Sequence, residues 1–446
     1  QLTSSFTCSS SLINRIHDNS WWGQRGNYFD IPTDCPQRDE RMGWTGDTQV
    51  YVRTAAYHMD VAAFLSRWMD EMSDAQTNEG RYPIMAPAPH KGWSPGWSDA
   101  GLSVPATLYH VYGDTAILAK HYDGLKAHVA YYQKRSPDFI APDEGFGDWL
   151  AVGIQTPKPL ISTAYFAYSC QLLSRIATAL GRSDDAKIYG VLAEQVATAF
   201  RARFVKPDGT IGNNSQTGYL LALRFKLLND AQRQQAADHL VAAMAEEKWH
   251  LATGFLGINV LLPTLSDIGR TDVAYRLLQN TTYPSWGYSM AQGATTVWER
   301  WNSYNHDKGF GEVSMNSFNH YAYGACNEWL YRSVLGIDAV TPGFQDFVLK
   351  PQPGGEITWA KGHFQSPHGL IGSAWDLRDG KFTWDVVVPP NTTATAWLPF
   401  GNVTTVQESG NALTKATGLT VISAADAPLQ VRIGSGSYHF TCPLAK

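Results

Sequence analysis

Four carboxylates, two arginines and a tryptophan fall within fourteen residues: Asp34, Arg38, Asp39, Glu40, Arg41, Trp44 and Asp47. Carboxyl groups at this density can serve as general acid and general base if a rigid element presents them to a substrate. Pro36, Gly43 and Gly46 interrupt any helical period, so the stretch reads as a loop. A solvated loop of local ion pairs would use the same charges, but it would not need the interleaved tryptophan and glycines. Far along the chain, Glu299 lies between Trp298 and Trp301, beside Arg300. Burial among rings and an adjacent charge both tune a carboxyl group. Two readings of Glu299 stay open: a structural ion pair with Arg300, or the partner of Glu40 in a catalytic pair. Breaking a glycosidic bond needs such a pair. One group protonates the leaving oxygen, and the other activates water or attacks the sugar.

Other loops combine acids with rings. Residues 80–101 hold Pro83, Pro87, Pro89 and Pro95 with Trp93, Trp97 and Asp99, which is too much chemistry for a plain connection. Asp148 and Trp149 follow Gly145-Phe146-Gly147, and Trp286 sits in Pro284-Ser285-Trp286-Gly287-Tyr288. His320 stands at the start of a helical run. It is either a satisfied polar residue there or a hydrogen-bond partner for a hydroxyl.

The composition suits an uncharged, hydroxylated ligand. The 446 residues include 16 Trp and 21 Tyr, with only 17% charged residues and a net charge of -5. Rings stack on sugar faces while a few polar groups fix orientation, though large helical cores use aromatics as well. No basic stripe exists, so nucleic acid is not expected as a partner. No apolar run is long enough for a membrane span, and the N-terminus has no signal-peptide pattern. Cys8, Cys35, Cys170, Cys326 and Cys442 are scattered, with neither a disulfide framework nor zinc spacing, which suits a reducing compartment. The compartment is left open between cytoplasm and periplasm, and the assembly between monomer and homodimer.

The elements that would position these residues read as helices in pairs. A first helix spans 9–20. A second starts at Thr48 and keeps the helical period through Val52, Ala55, Met59, Ala62, Leu65, Met69 and Met72. Pairs follow at 102–112 with 115–134, 160–180 with 184–204, 216–228 with 230–246, 252–263 with 266–279, and 288–300 with 316–335. Gly181 is a stop and Ser183 an N-cap. Twelve helices in six hairpins make an (α/α)6 toroid, so the predicted fold is mainly α. Its unusual loops, 31–47, 80–101, 141–158 and 284–315, would gather at one end. Beyond Gly336 the apolar period becomes two, as in Phe382-Thr383-Trp384-Asp385-Val386, with turns at Asp379-Gly380 and Ser409-Gly410. That predicts a C-terminal antiparallel β-sandwich. The predicted domains are 1–338 and 339–446.

The stretch from Asp34 to Asp47 resembles the signature of bacterial α-L-rhamnosidases of glycoside hydrolase family 78. Gly147-Asp148-Trp149, Thr253-Gly254-Phe255-Leu256-Gly257, Pro284 to Tyr288, Gly293 to Arg300 and Asn319-His320 support the likeness in the family's order. Val387-Val388-Pro389 and Asn391-Thr392 resemble the family's C-terminal sandwich. The resemblance implies an inverting exo-glycosidase that releases terminal α-L-rhamnose from rhamnosides, with Glu40 as general acid and Glu299 as general base. Inversion implies carboxyl groups about 6.5–9.5 Å apart, with a water between Glu299 and the sugar. Asp34 and Asp47 would bind hydroxyls, and Trp44, Trp97, Trp149 and Trp286 would line the pocket with room for the C6 methyl. His320 would be a sugar ligand, and Asp99, Asp148 and Trp301 complete the candidate substrate-binding set. Asp39 is assigned to ion pairs with Arg38 and Arg41, and Cys35 to packing. The chemistry calls for no cofactor or metal. Family members usually carry N-terminal β-domains, so these residues read as a minimal member or a piece of a longer chain. Two alternatives remain: another (α/α)6 hydrolase or phosphorylase, and a non-catalytic sugar-binding scaffold.

Overall fold

The computed structural model describes residues 2–87, 92–423 and 428–444, so Pro89 lies outside the described residues. The helices are α1 (Ser11–Asn27), α2 (Thr45–His58), α3 (Ala62–Asp74), α4 (Ala100–Tyr112), α5 (Ala116–Arg135), α6 (Lys158–Ala179), α7 (Ser183–Phe204), α8 (Gln216–Arg224), α9 (Asp230–Glu246), α10 (Phe255–Asp267), α11 (Thr271–Leu278) and the short α12 (Trp286–Ala291). A last helical run over 322–334 changes from 3-10 through α to π geometry. Helices α2, α4, α6, α8, α10 and this last run each touch the next, and the last run touches α2, which closes a ring. The ring is dry. In α10 every residue from Phe255 to Leu265 is buried except Asn259. The alternate helices pack outside and expose one face. In α9 only Ala236, Ala237, Leu240, Ala243 and Met244 are buried, at helical spacing.

Local sequence explains most of the boundaries. Ser10 and Ser215 cap α1 and α8, and Asn229 with Gln232 forms a capping box on α9. Ser183, the expected cap of α7, is its first helical residue. Arg182 takes the cap position, and Asp184 and Asp185 place negative charge in the first turn. The long helix expected from Thr48 to Met72 is two helices. Met59 is extended because Leu2 bridges to it, and Asp60 accepts the Ala62 N–H at 3.1 Å to restart the chain as α3. The helix expected over 288–300 stops at Ala291. Gly293 has φ +95, and the Glu299 N–H then donates to the Ser317 carbonyl instead of a helical partner.

The strands are β1 (Ser4–Cys8), the small hairpin β2 (Tyr304–Asn305) and β3 (Gly309–Phe310), then β4 (Ile337–Ala339), β5 (Asp346–Leu349), β6 (Trp359–Ser366), β7 (Gly369–Arg378), β8 (Lys381–Val388), β9 (Thr393–Trp397), β10 (Gln407–Glu408), β11 (Asn411–Ala412), β12 (Leu419–Val421), β13 (Gln430–Ile433) and β14 (Gly436–Pro443). Two sheets face each other, ordered β1-β6-β7-β8-β14-β10-β11 and β12-β13-β9-β5-β4. All pairs are antiparallel except β5 with β9. In β8, Phe382, Trp384, Val386 and Val388 alternate inward, as their period of two requires. The first sheet takes its edge strand from the other end of the chain: β1 pairs with β6 from Ser4↔Phe364 to Cys8↔Ala360. Trp375 Nε1 donates to the Val334 carbonyl at 2.7 Å, and Tyr57 to the Ile337 carbonyl at 2.9 Å, which tie the sandwich to the ring. All five cysteines are free and buried. Among the described residues no helix is long and apolar enough to cross a membrane.

Candidate active site

The four unusual loops meet over one end of the helical ring. They enclose a cavity of about 270 Å³ lined by Asp34, Arg38, Glu40, Trp44, Asp47, Trp97, Phe146, Trp149, Phe255, Glu299, Ser314, Met315 and His320. Larger hollows of about 840 and 880 Å³ exist, but neither holds such a cluster of acids. Asp47 lies in the first turn of α2, where the helix dipole favours its charge. Trp97 rests directly on Gly46. A Cβ there would come within 2.4 Å of the indole, so only glycine lets this ring reach the wall.

Arg38 holds the two glutamates together. Its Nε donates to Glu40 Oε2 at 3.0 Å, its Nη2 bonds the same oxygen, and that nitrogen lies 3.4 Å from Glu299 Oε2. Trp44 Nε1 donates to the other oxygen of Glu40 at 2.8 Å. The expected pairings therefore differ. Glu299 is paired with Arg38, not Arg300, because its backbone turns the carboxyl inward. Asp39 reaches only Arg41, at 3.1 Å, and is fully exposed. His320 Nε2 lies 3.0 Å from Asp47 Oδ1, and Asp34 Oδ1 accepts the Met42 N–H at 3.0 Å. Glu299 Oε2 and His320 Nδ1 are buried without a hydrogen-bond partner among the described residues.

Burial, and then the charges and hydrogen bonds around each group, set the proton affinities. Burial, reinforced by Asp47, pushes Asp34 up to about 7. Burial also raises Glu299, against the pull of His320 and Arg38. Burial would raise Glu40 too, but the hydrogen bonds from Arg38 and Trp44 outweigh it and hold Glu40 below the usual carboxylate range. Burial would lower His320, yet the Asp47 charge and hydrogen bond carry it up to about 9. In this state Glu40 is ionised, His320 is cationic, and Glu299 holds a proton more readily than Glu40.

Four candidates do not reach the cavity. Asp99 accepts from Gly96 N–H, Tyr132 and Ser169 at 2.7, 2.9 and 2.5 Å, so its carboxylate is fully engaged beneath Trp97. Asp148 accepts from Thr217 at 2.5 Å and from the N–H groups of Gly254, Leu256 and Gly257 at 2.8, 2.8 and 3.2 Å. It caps α10 and fixes the loop carrying Phe146 and Trp149. The approach is so close that a Cβ on Gly254 would meet the Trp149 carbonyl at 2.2 Å. Trp286 is buried and donates to the Tyr323 carbonyl at 2.8 Å. Trp301 stacks on Tyr323 at 4.2 Å. All four form a supporting layer behind the wall.

Five lining residues were not singled out from sequence: Arg38, Phe146, Phe255, Ser314 and Met315. Phe146 stands edge-on to Trp44, Trp97 and Trp149 at 5.8, 5.3 and 6.1 Å, at the centre of the aromatic wall. Its signal was a ring between two glycines, both of which adopt positive φ. Arg38 had a signal in its place two residues before Glu40. Ser314 and Met315 come from the loop after β3 and had none. For a metal, Asp34, Cys35 and His320 offer donor atoms within 4.8 Å of one another. Met42 and Asp47 already engage two of the three.

Comparison with known proteins matches this architecture. A family model described as the bacterial alpha-L-rhamnosidase 6 hairpin glycosidase domain matches residues 1–334, and one for the bacterial alpha-L-rhamnosidase C-terminal domain matches 336–413. An alpha-L-rhamnosidase of Streptomyces avermitilis is 45% identical over 441 residues, covering 98% of this chain and 42% of that one. One of Formosa agariphila is 40% identical over 447 residues, covering 98% and 48%. The crystal structure of the Streptomyces avermitilis enzyme complexed with L-rhamnose superposes with TM-score 0.94 over 99% of this chain and 42% of that one. That of a rhamnosidase from Aspergillus terreus gives 0.91 at 33% identity, over 100% and 51%. The chain thus spans about half the length of these relatives or less. With one family model matching three quarters of its length, the chain belongs to the bacterial α-L-rhamnosidase six-hairpin glycosidase family.

Proposed function

We propose that this chain is an inverting exo-glycosidase that hydrolyses terminal α-L-rhamnosides, with a catalytic unit at 1–338 and a supporting sandwich at 339–446. The observation that carries the reading is the pair Glu40 and Glu299, facing one small cavity with an aromatic wall. About 270 Å³ suits a single sugar ring and favours exo action. The wall of Phe146, Trp44, Trp97 and Trp149 accepts a C6 methyl and offers no partner to a hydroxymethyl. Asp34, Asp47 and His320 offer hydrogen bonds to ring hydroxyls, and the negative charges favour an oxocarbenium-like transition state.

Glu40 is the general acid in this proposal and Glu299 the base that activates water. The free protein poises them the other way, since Arg38 holds Glu40 low while Glu299 is raised. A leaving-group oxygen docking at Glu40 competes with Arg38 for the same carboxylate oxygen. Once Arg38 lets go, the strongest opposition to burial is gone and Glu40 rises, with Trp44 still bonded to its other oxygen, and Arg38 is free to favour the charged form of Glu299. The observed poise also supports a second reading in which the roles are exchanged.

Leaving groups separate the two readings. Glu40→Gln and Glu299→Gln are each expected to lower kcat by about 10²–10⁴. If Glu40 is the acid, its variant recovers rate with dinitrophenyl over methyl rhamnosides, and the Glu299 variant does not. The opposite pattern exchanges the roles. The activity itself is tested with p-nitrophenyl α-L-rhamnopyranoside, following the first product anomer by NMR. Early β-L-rhamnose supports inversion. Early α-anomer, phosphate-dependent turnover or no turnover would each overturn the reading.

A further inference from the structure

Residues of the inner helices, with α7 of the outer layer, border a second hollow away from the carboxylate cluster. It has a volume of about 880 Å³ and runs from Gln49 and Arg53 on α2, past Ser103 on α4 and Asn259 on α10, to Val340 and Pro342 at the junction with the sandwich. Ligand cavities commonly measure about 300–1,000 Å³. Arg175 and Lys226 on its rim are exposed, and its more buried charges are already paired. Arg53 donates to Glu328 at 2.9 Å and to Asp338 at 3.2 Å, and Arg224 to Asp267 at 2.7 Å. An ionic ligand would therefore find no buried counter-charge free.

The hydrogen-bonding interior is not balanced. Gln49, Ser103 and Asn259 all line the hollow, and Gln49 Oε1, Ser103 Oγ and Asn259 Oδ1 have no hydrogen-bond partner among the described residues. Gln49 and Ser103 are more than nine-tenths buried. The Gln49 amide nitrogen donates to Tyr165 at 3.3 Å, which leaves its oxygen to face the hollow. Three acceptors that lack donors call for a ligand rich in O–H groups. Tyr168 and Phe225, stacked at 4.1 Å, supply an aromatic wall of the kind a sugar face covers.

We infer that this axial hollow is a second binding site, separate from the catalytic cavity, for a small uncharged polyol or monosaccharide. Its hydroxyls donate to Gln49, Ser103 and Asn259, and its carbon face lies toward Tyr168 and Phe225. Gln49 is two residues beyond Asp47 on α2, so an occupied site touches the helix that carries one wall of the catalytic cavity.

Saturation-transfer NMR and titration of the whole 446-residue chain with D-mannitol and D-glucose test the inference. Ser103→Leu fills the hollow and is expected to weaken binding at least about tenfold. It should keep aryl-rhamnoside hydrolysis within about twofold, so failure here is read separately from failure of the proposed activity. Trp149→Ala, in the catalytic cavity, should leave mannitol binding intact. Ala106→Phe at the same hollow replaces Ser103→Leu if that variant does not fold. A wild-type crystal soaked in mannitol should show the ligand against Gln49, Ser103 and Asn259. Binding insensitive to both filling variants, binding lost in Trp149→Ala, or ordered water alone in the soaked crystal would each overturn it.

Discussion

Trp44 does two jobs that a substitution can separate. Its ring walls the cavity and its Nε1 donates to Glu40. Trp44→Phe keeps most of the wall and removes the bond to the charged carboxylate. A bond to a charged carboxylate favours the ionised form, so its loss should raise Glu40. The rate-profile limb governed by Glu40 should move to higher pH, with KM changed far less than in Trp44→Ala. A pH series of kcat/KM checks both. His320 is raised in the folded state from 6.5 to about 9 by Asp47. Its stabilisation is therefore complete below about 6.5 and lost as pH rises through about 9, on the order of 3 kcal/mol. Asp34, raised from 3.8 to about 7, costs stability over an earlier window as pH climbs from about 4 to 7. Urea midpoints across pH 4–10 should fall in both windows, and His320→Asn should flatten the upper one while deepening the lower, because the His320 charge holds Asp34 down. At this scale the acids were legible because their spacing is peculiar to the loop. The role of Arg38 was not, because the sequence offers it Asp39 next door while the fold offers it Glu40 and Glu299.

The loop with Phe146 and Trp149 is held from below by α10. Asp148 satisfies three backbone N–H groups, two of them in the first turn of that helix, so loop and helix move as one piece. Asp148→Ala leaves those donors buried and bare, at a cost of about 2–4 kcal/mol. It should lower the melting temperature and raise KM for aryl rhamnosides together. A variant that loses stability with KM unchanged would show that the cap does not position the wall. The helix pairs were legible from period, stops and caps, since ring and outer helices differ in how much of each face is apolar. Two failures have one cause. Apolar spacing runs unbroken across Met59 to Val61, and again across 294–300, so the period alone sees helix there. The chain leaves the helix at both places for partners distant in sequence, Leu2 in one case and Ser317 in the other. The same detour puts Glu299 at the cavity.

Across the whole molecule, the two units interlock. β1 lies at the edge of the sandwich, and Phe6 and Cys8 on it are buried. Deleting residues 2–8 should strip β6 of its neighbour, expose a sheet edge and open a void under Phe6. Calorimetry should show a lower and broader transition, and light scattering association that grows with concentration. A sharp transition at the wild-type temperature would mean that β1 is an ornament. The split into helical and β texture was legible, because the period changes after Gly336. The exchange of a strand was not, because five residues before a helix carry no mark of a partner more than 350 residues away. That separation also imposes an order in time. A ribosome adding about 5–20 residues per second emits β1 first and needs roughly 20–70 s more to emit its partner. During that interval the ring can assemble around its own apolar helices while β1 waits unpaired. The sandwich can be completed only after the ring has formed or alongside it, so its edge strand is made early and paired late.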